Sequence, residues 1–271
     1  MTAPTLTAVT ARPDGPGVAW ARPAPGVRLA CADWLDAARS LAPGSVDLVY
    51  ADPPFNTGRA RSGAAGAFAD RWPSTRAWRG WLGERLAATV PLLTPAGSIL
   101  LHLEPRVSHH ARLILDDLLG EDAHVNTIVW SYGLGGSSPR QFARKHDDIL
   151  FYARTPGGHY FDPPMVPATS RRLAGRLKKA TDVLAIPAIN NMAHERVGWP
   201  TQKPLALLDV LVRACCPLGG MMLDPCCGSG TALIAAQRAG RAAIGADASA
   251  RAVALASARV SGDYGKIPRR L

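Results

Sequence analysis

The chain has 271 residues, enough for one large α/β domain with a sizeable core and a modest insertion. Its 31 Lys and Arg against 21 Asp and Glu give a formal net charge of +10, which favours a nucleic-acid partner while leaving a merely basic soluble protein as the plain alternative. No apolar run approaches the roughly 18 residues of a membrane span and no signal-peptide core follows Met1, so neither a span nor export is expected.

Residues 1 to 26 carry Pro4, Pro13, Pro16, Pro23 and Pro25 without hydrophobic period and read as a disordered or loosely attached arm. Val27 to Ala32 is a short strand with Asp33 at its carboxyl end, Trp34 to Leu41 a turn or two of helix, and Ser45 to Ala51 a second, buried strand. Strand, helix and strand in this order predict a parallel sheet. Residues 57 to 72, rich in Gly, Ala and Arg, read as a mobile loop over a site. A helix is expected from Ser74, with Trp78, Trp81, Leu82, Leu86 and Val90 at helical spacing, and the two tryptophans belong to the core. Ser98–Leu103 is a strand, Val107 to Leu118 a helix, and Val125–Trp130 and Asp148–Tyr152 two more strands.

Between those last strands, Gly133 to Lys145 is glycine-rich and basic, with Arg140, Arg144 and Lys145 placed to grip phosphate or read a base. Residues 155 to 200 are proline-rich without strong period and carry Arg171, Arg172, Arg176, Lys178 and Lys179; they read as an irregular insertion on the binding face. Thr201-Gln202-Lys203-Pro204 opens a helix whose apolar face holds Leu207, Leu208, Leu211 and Val212. Met221 to Leu223 ends a buried strand, Asp224 closes it, Gly228 and Gly230 make a tight turn, and Thr231 starts an apolar helix. Ala242 to Asp247 is a strand ending in an acid, and a last Ala-rich helix covers 249 to 260.

Strand, glycine turn and helix N-terminus form a nucleotide-type cofactor site, because small residues let a ligand reach backbone N–H groups. No Lys follows the glycines, which excludes a phosphate loop, and Leu233 stands where a dinucleotide fingerprint needs its third Gly. Cys31, Cys215, Cys216, Cys226 and Cys227 form no C-x-x-C pair and no His lies at zinc spacing, so reduced thiols and no metal site are expected. Asp52-Pro53-Pro54-Phe55 follows a buried strand directly. Two prolines stiffen the backbone there, an acid beside a fixed carbonyl can accept both protons of an exocyclic amine, and Phe55 offers a flat face for a base; the plain alternative is a polar turn.

Four separated stretches, Ala51-Asp-Pro-Pro-Phe-Asn-Thr-Gly58, Thr201–Pro204, Leu223–Thr231 and Ile244-Gly-Ala-Asp247, resemble the DNA adenine-N6/cytosine-N4 amino methyltransferase family. The Asp-Pro-Pro-Phe motif precedes the glycine loop, as in the family's permuted β class of restriction-modification and orphan bacterial enzymes. The resemblance covers about residues 27 to 260 and implies a Rossmann-like α/β fold, with a seven-stranded, mostly parallel sheet and helices on both faces. It divides the chain into a catalytic half (27–154), the insertion (155–200) joining the 133–145 loop in target recognition, a cofactor half (201–262) and a basic tail (263–271).

The resemblance also implies S-adenosyl-L-methionine (SAM) as methyl donor. Asp224, Pro225, Cys226, Gly228, Ser229, Gly230 and Thr231 would wrap its methionine part, Thr201 and Lys203 would lie near its carboxylate, Asp247 would accept the ribose hydroxyls, and Asp33 would lie near the adenine. Asp33 and Asp247 read equally well as helix caps on residue type alone. Asp52 with the Pro53 carbonyl would hold the target amine, Pro54 stiffen the turn, and Phe55 stack on a base flipped from duplex DNA. Arg140, Arg144, Lys145, Arg171 and Arg172 would contact DNA. No covalent enzyme intermediate is expected, since Cys226 and Cys227 lie in the cofactor loop. Asp at position 52 favours adenine N6, with cytosine N4 as the alternative; RNA or protein-glutamine methylation and an inactive DNA-binding relic are the remoter ones. The family implies a bacterial cytoplasmic protein at the nucleoid, acting as monomer or homodimer, with a cognate restriction endonuclease as the further partner.

Overall fold

The computed structural model describes residues 17–133, 137–168, 172, 175–190 and 192–263. In chain order its elements are β1 (Ala21–Ala24), β2 (Val27–Cys31), α1 (Trp34–Arg39), β3 (Val46–Ala51), β4 (Arg59–Gly63), β5 (Gly66–Asp70), α2 (Thr75–Thr89), β6 (Leu93–Leu103), α3 (Pro105–Leu119), β7 (His124–Ser131) and β8 (His146–Ala153). Then follow β9 (Met165–Pro167), β10 (Leu177–Lys179), β11 (Val183–Ala185), α4 (Leu205–Cys215), β12 (Met221–Asp224), α5 (Thr231–Arg238), β13 (Ala242–Asp247) and α6 (Ala250–Val260). Local chemistry sets several boundaries. Ser74 accepts a hydrogen bond from Ala77 N–H to cap α2, Pro105 opens α3, and Gly120, at φ 90°, ends it.

The main sheet has nine strands in the order β1-β2-β13-β12-β3-β6-β8-β7-β11. β2, β13, β12, β3 and β6 are mutually parallel; β8 runs antiparallel to its neighbours β6 and β7, and β11 parallel to β7. The seven expected strands are its centre. The two extra ones are edges: β1 comes from the stretch read as a loose arm, and β11 from the insertion. Neither has the long β-branched run that makes a buried strand legible, because an edge strand needs pairing on one side only.

Side chains alternate along β3, so Leu48 and Tyr50 join one core and Val49 and Ala51 the other. α1, α2 and α3 cover the second face, with Trp78, Leu82 and Leu86 of α2 fully buried. α4, α5 and α6 cover the first, through Leu207, Leu211, Ala232 and Ala256. Each such Leu contributes about 1.5–3 kcal/mol by leaving water. The layering places β12 and β13, from the end of the chain, between β2 and β3 from its start. Leu223 pairs with Val49, so the acids that follow, Asp224 and Asp52, stand at neighbouring strand ends. Ligands of open parallel sheets bind at such a carboxyl edge.

Residues 57 to 72, expected as a mobile loop, instead form the β4–β5 hairpin. Asp70, only 2 % exposed, holds it by accepting from Asn56 N–H and from the Thr57 hydroxyl. The tip is fastened as well: Ala65 N–H donates to the Gly198 carbonyl, and Phe68 packs with Trp199, Ala252 and Leu255. No helix among the described residues is long and apolar enough to cross a membrane.

Candidate active site

Beyond β3 the chain turns through Asp52-Pro53-Pro54-Phe55. The Trp78 indole of α2 donates to the Pro54 carbonyl at 2.9 Å and fixes the turn from below. Phe55 stacks on the His102 imidazole of β6, the rings 21° apart in tilt and 6.4 Å between centroids. His102 is itself buried and held at both nitrogens, by the Tyr50 hydroxyl at 2.9 Å and by Asp147 of β8 at 3.2 Å. Burial raises the Asp147 carboxyl, but the hydrogen bond and charge of His102 outweigh it and leave the group below the usual carboxylate value. Tyr132 donates to the other Asp147 oxygen, and burial followed by the Asp147 charge pushes its phenol up to about 12. Three polar side chains, Tyr50, Asp147 and behind it Tyr132, thus brace the ring on which Phe55 rests.

Beyond β12 the loop winds through left-handed turns at Gly228 (φ 49°) and Gly230 (φ 76°). A Cβ at Gly228 would come within 2.9 Å of the Trp199 indole nitrogen, and one at Gly230 within 2.8 Å of the Ala256 methyl, so glycine is required by space as well as by φ. Asp247, at the end of β13, accepts from Gly228 N–H at 2.9 Å and from Ser249 N–H at 2.8 Å, which ties the loop to the start of α6. Arg259 of α6 donates to the Ser229 carbonyl and to the Thr231 hydroxyl. Burial raises the Asp224 carboxyl well above its ordinary value, and the charges of Asp52 and Asp247 add to the rise. Burial, then the Asp224 charge, pushes both loop thiols, Cys226 and Cys227, well up, so they stay protonated and are poor nucleophiles.

These two loops face one cleft of about 870 Å³. It is lined by Asp33, Asp52, Pro53, Pro54, Phe55, Thr201, Lys203, Asp224, Pro225, Cys226, Gly228, Ser229, Thr231, Asp247 and, from the basic loop, Arg144. Gly230 lies behind the wall. Two placements differ from the sequence reading, those of Lys203 and Trp81, and Asp33 takes up the capping role given as one of its alternatives. Lys203 donates to the Asp52 carboxylate and stands 5.8 Å above the Phe55 ring, so it joins the two halves of the site and does not serve the cofactor side alone. Asp33 does cap α1, through Leu35 N–H, and is gripped by Arg85 at 2.8 Å on both oxygens. Trp81 is only half-buried: it packs on the edge of the core and, with Trp34 and Trp72, forms an aromatic wall of the cleft, while Trp78 is fully buried. Arg140, Lys145 and Arg172 are not part of the lining, and Arg171 lies outside the described residues.

Sequence reasoning missed Asp70, His102, Asp147 and Trp199. A lone Asp after a Gly-Ala run carries no pattern, and a His inside an apolar strand signals a buried polar network only once its partners are placed.

A cleft at the carboxyl edge of a mostly parallel sheet, with a glycine loop opening a helix and acids ending successive strands, defines the SAM-dependent methyltransferase class. The residues fit such a cofactor: three carboxylates converge where a sulfonium cation would be stabilised, and the aromatic wall of Trp34, Trp72 and Trp81 offers faces to a nucleoside ring. Within that class the chain belongs to the DNA methylase family of N6/N4 methyltransferases, whose model matches residues 46–258. It is 27% identical over 233 residues to the Type II methyltransferase M.ScaI of Streptomyces caespitosus, covering 79% of this chain and 74% of that one. It is 26% identical over 219 residues to the DNA adenine methyltransferase YhdJ of Escherichia coli strain K12, covering 74% and 71%. Among solved structures, the M1.HpyAVI–SAM complex superposes with a TM-score of 0.61 at 19% identity over 86% of this chain and 98% of that one. The cytosine-N4-specific PvuII DNA methyltransferase gives 0.66 at 15% over 89% and 92%. This protein is therefore a SAM-dependent DNA methyltransferase.

Proposed function

We propose that the chain methylates the exocyclic amine of one base in a specific duplex DNA sequence, with adenine N6 the preferred target and cytosine N4 the alternative. The observation that carries this reading is the meeting of Asp52-Pro53-Pro54-Phe55 and the Gly228 loop in one cleft. An exocyclic amine is a weak nucleophile because its lone pair is delocalised into the ring. Hydrogen bonds from the amine to the Asp52 carboxylate and the Pro53 carbonyl draw that lone pair out of conjugation. Phe55, backed by His102, stacks on the base, which must leave the helix to reach the cleft.

SAM supplies a methyl group already activated on sulfur, so the protein has to bind and orient it. Asp224 to Ser229, with Thr231, hold the methionine part, and Gly230 lets the loop turn behind them against Ala256. Asp247 accepts the ribose hydroxyls with the lone pairs that Gly228 and Ser249 N–H leave over. Asp33 supports the adenine end from the α1 N-terminus, and Thr201 and Lys203 sit on the methionine side, with Lys203 also against Asp52. Arg140, Arg144, Lys145, Arg171 and Arg172 meet DNA phosphates. The Asp at position 52 and the likeness to YhdJ support adenine; the permuted β class is supported by motif order, since β3 precedes β12 in the chain. The Type II methyltransferase name of M.ScaI supports a restriction–modification setting with a cognate endonuclease, and a bacterial cytoplasmic location goes with that setting.

Digesting DNA from a host expressing the gene to nucleosides, followed by mass spectrometry, tests the reading. N6-methyladenine with the wild-type chain and none with Asp52→Asn is expected. N4-methylcytosine alone overturns the choice of base. No methylated base, with labelling of RNA or peptide instead, overturns the substrate.

A further inference from the structure

The turn between β7 and β8 carries one side chain that the proposed function has not used. β7 runs antiparallel to β8, and β8 antiparallel to β6, so the carboxyl end of β7 lies on the same rim of the sheet as Asp52. The loop leaving that rim is pinned at its base by Tyr132 N–H donating to the Lys145 carbonyl, and on the cleft side by the Arg144–Glu104 ion pair at 3.0 Å. Both partners of that pair line the cleft. Further out, Pro139-Arg140 makes a tight turn closed by a bridge between Ser138 and Gln141. Phe142 follows immediately and is 99% exposed, more than any other large hydrophobic side chain among the described residues.

A phenyl ring in water forgoes the gain that burial gives it. A lone exposed ring lacks the area of a protein–protein interface, and its neighbours Arg140 and Arg144 suit a polyanion. A base pulled from duplex DNA leaves a hole in the stack, and proteins that open base steps fill such holes with an apolar wedge. We infer that Phe142 is that wedge: it enters the DNA stack where the target base leaves, while Arg144 and the cleft lie two residues further along the same loop. The inference rests on the reading of the cleft as the site of a flipped base.

The test compares two duplexes carrying the sequence that the wild-type enzyme methylates, one with the target base paired and one with it opposite an abasic site. With Phe142→Ala, single-turnover methylation of the paired duplex should fall about tenfold or more, while the abasic duplex, already unstacked, should lose little. Phe142→Trp should restore the rate, and SAM affinity should match wild type in both variants. An equal loss on both duplexes, no loss on either, or a change in sedimentation with methylation intact overturns the wedge. If the wild-type enzyme methylates no DNA at all, it is the DNA reading that fails, and the two failures are told apart by that control.

Discussion

Lys203 donates a hydrogen bond to Asp52 although 151 residues separate them in the chain. Their side chains are 10% and 17% exposed, so the pair sits largely out of water at the junction of the two halves of the site. Removing one partner leaves the other charge buried and alone, a loss of about 3–5 kcal/mol for pairs of this kind. Lys203→Met is therefore expected to lower stability by that order, and Asp52→Asn/Lys203→Met by clearly less than the sum of the single changes. Urea titration of the four proteins gives the coupling, expected at about 1–3 kcal/mol. Additive losses would mean that the pair contributes nothing as a unit.

Trp78→Phe removes the indole donor to the Pro54 carbonyl and leaves most of the ring volume in place. The missing hydrogen bond should cost about 1–3 kcal/mol of stability. The Asp52 turn should then wander, so kcat falls while the dissociation constant for SAM holds. Steady-state methylation alongside SAM titration calorimetry separates the two, and a loss of SAM affinity as large as the loss in kcat would make Trp78 a general support only.

Asp224 carries a pH signature. Burial raises its carboxyl above the ordinary value of 3.8, so the folded state holds this proton more tightly than the unfolded chain. Its stability contribution is complete below the ordinary value and is lost as pH rises through the raised one, at about 1.4 kcal/mol per unit between them. Asn at 224 keeps an acceptor for Cys226 N–H and carries no charge. Asp224→Asn should thus melt higher than wild type near pH 8, with the advantage closing toward about pH 4. Thermal denaturation across that range checks it; a constant difference would mean that Asp224 does not titrate with folding.

The basic loop should show itself in salt dependence. Every cation withdrawn from a DNA phosphate lowers the log–log salt slope of affinity by about 0.9. Arg140→Ala is expected to show that full step. Arg144→Ala should show less, because Arg144 already pairs with Glu104. Equal slopes for wild type and Arg140→Ala, measured by fluorescence anisotropy from low to moderate salt, would remove Arg140 from the DNA-binding surface.

Local chemistry made much of this protein legible in its sequence. The buried strand before Asp52, the glycine turn after Asp224 and the cap at Ser74 are each written in a few consecutive residues, because dihedral preference, periodicity and capping act over one or two turns of chain. Four acids at strand ends were enough to place the cleft at the carboxyl edge of the sheet. Which strand ends are neighbours was decided only by the tertiary structure, in which β12 and β13 slot between β2 and β3. That insertion makes Lys203 the partner of Asp52 and brings Trp199 over Gly228, and the pairing of β6 on the other side of β3 stacks His102 behind Phe55. The 57–72 segment reads as a loop for the same reason: its strands are short and polar, and what holds them is Asp70 beneath Asn56 and Thr57 and Trp199 against the tip. Interactions of this kind join residues that no local period relates, so they come into being only when the sheet closes and brings distant side chains within hydrogen-bond reach.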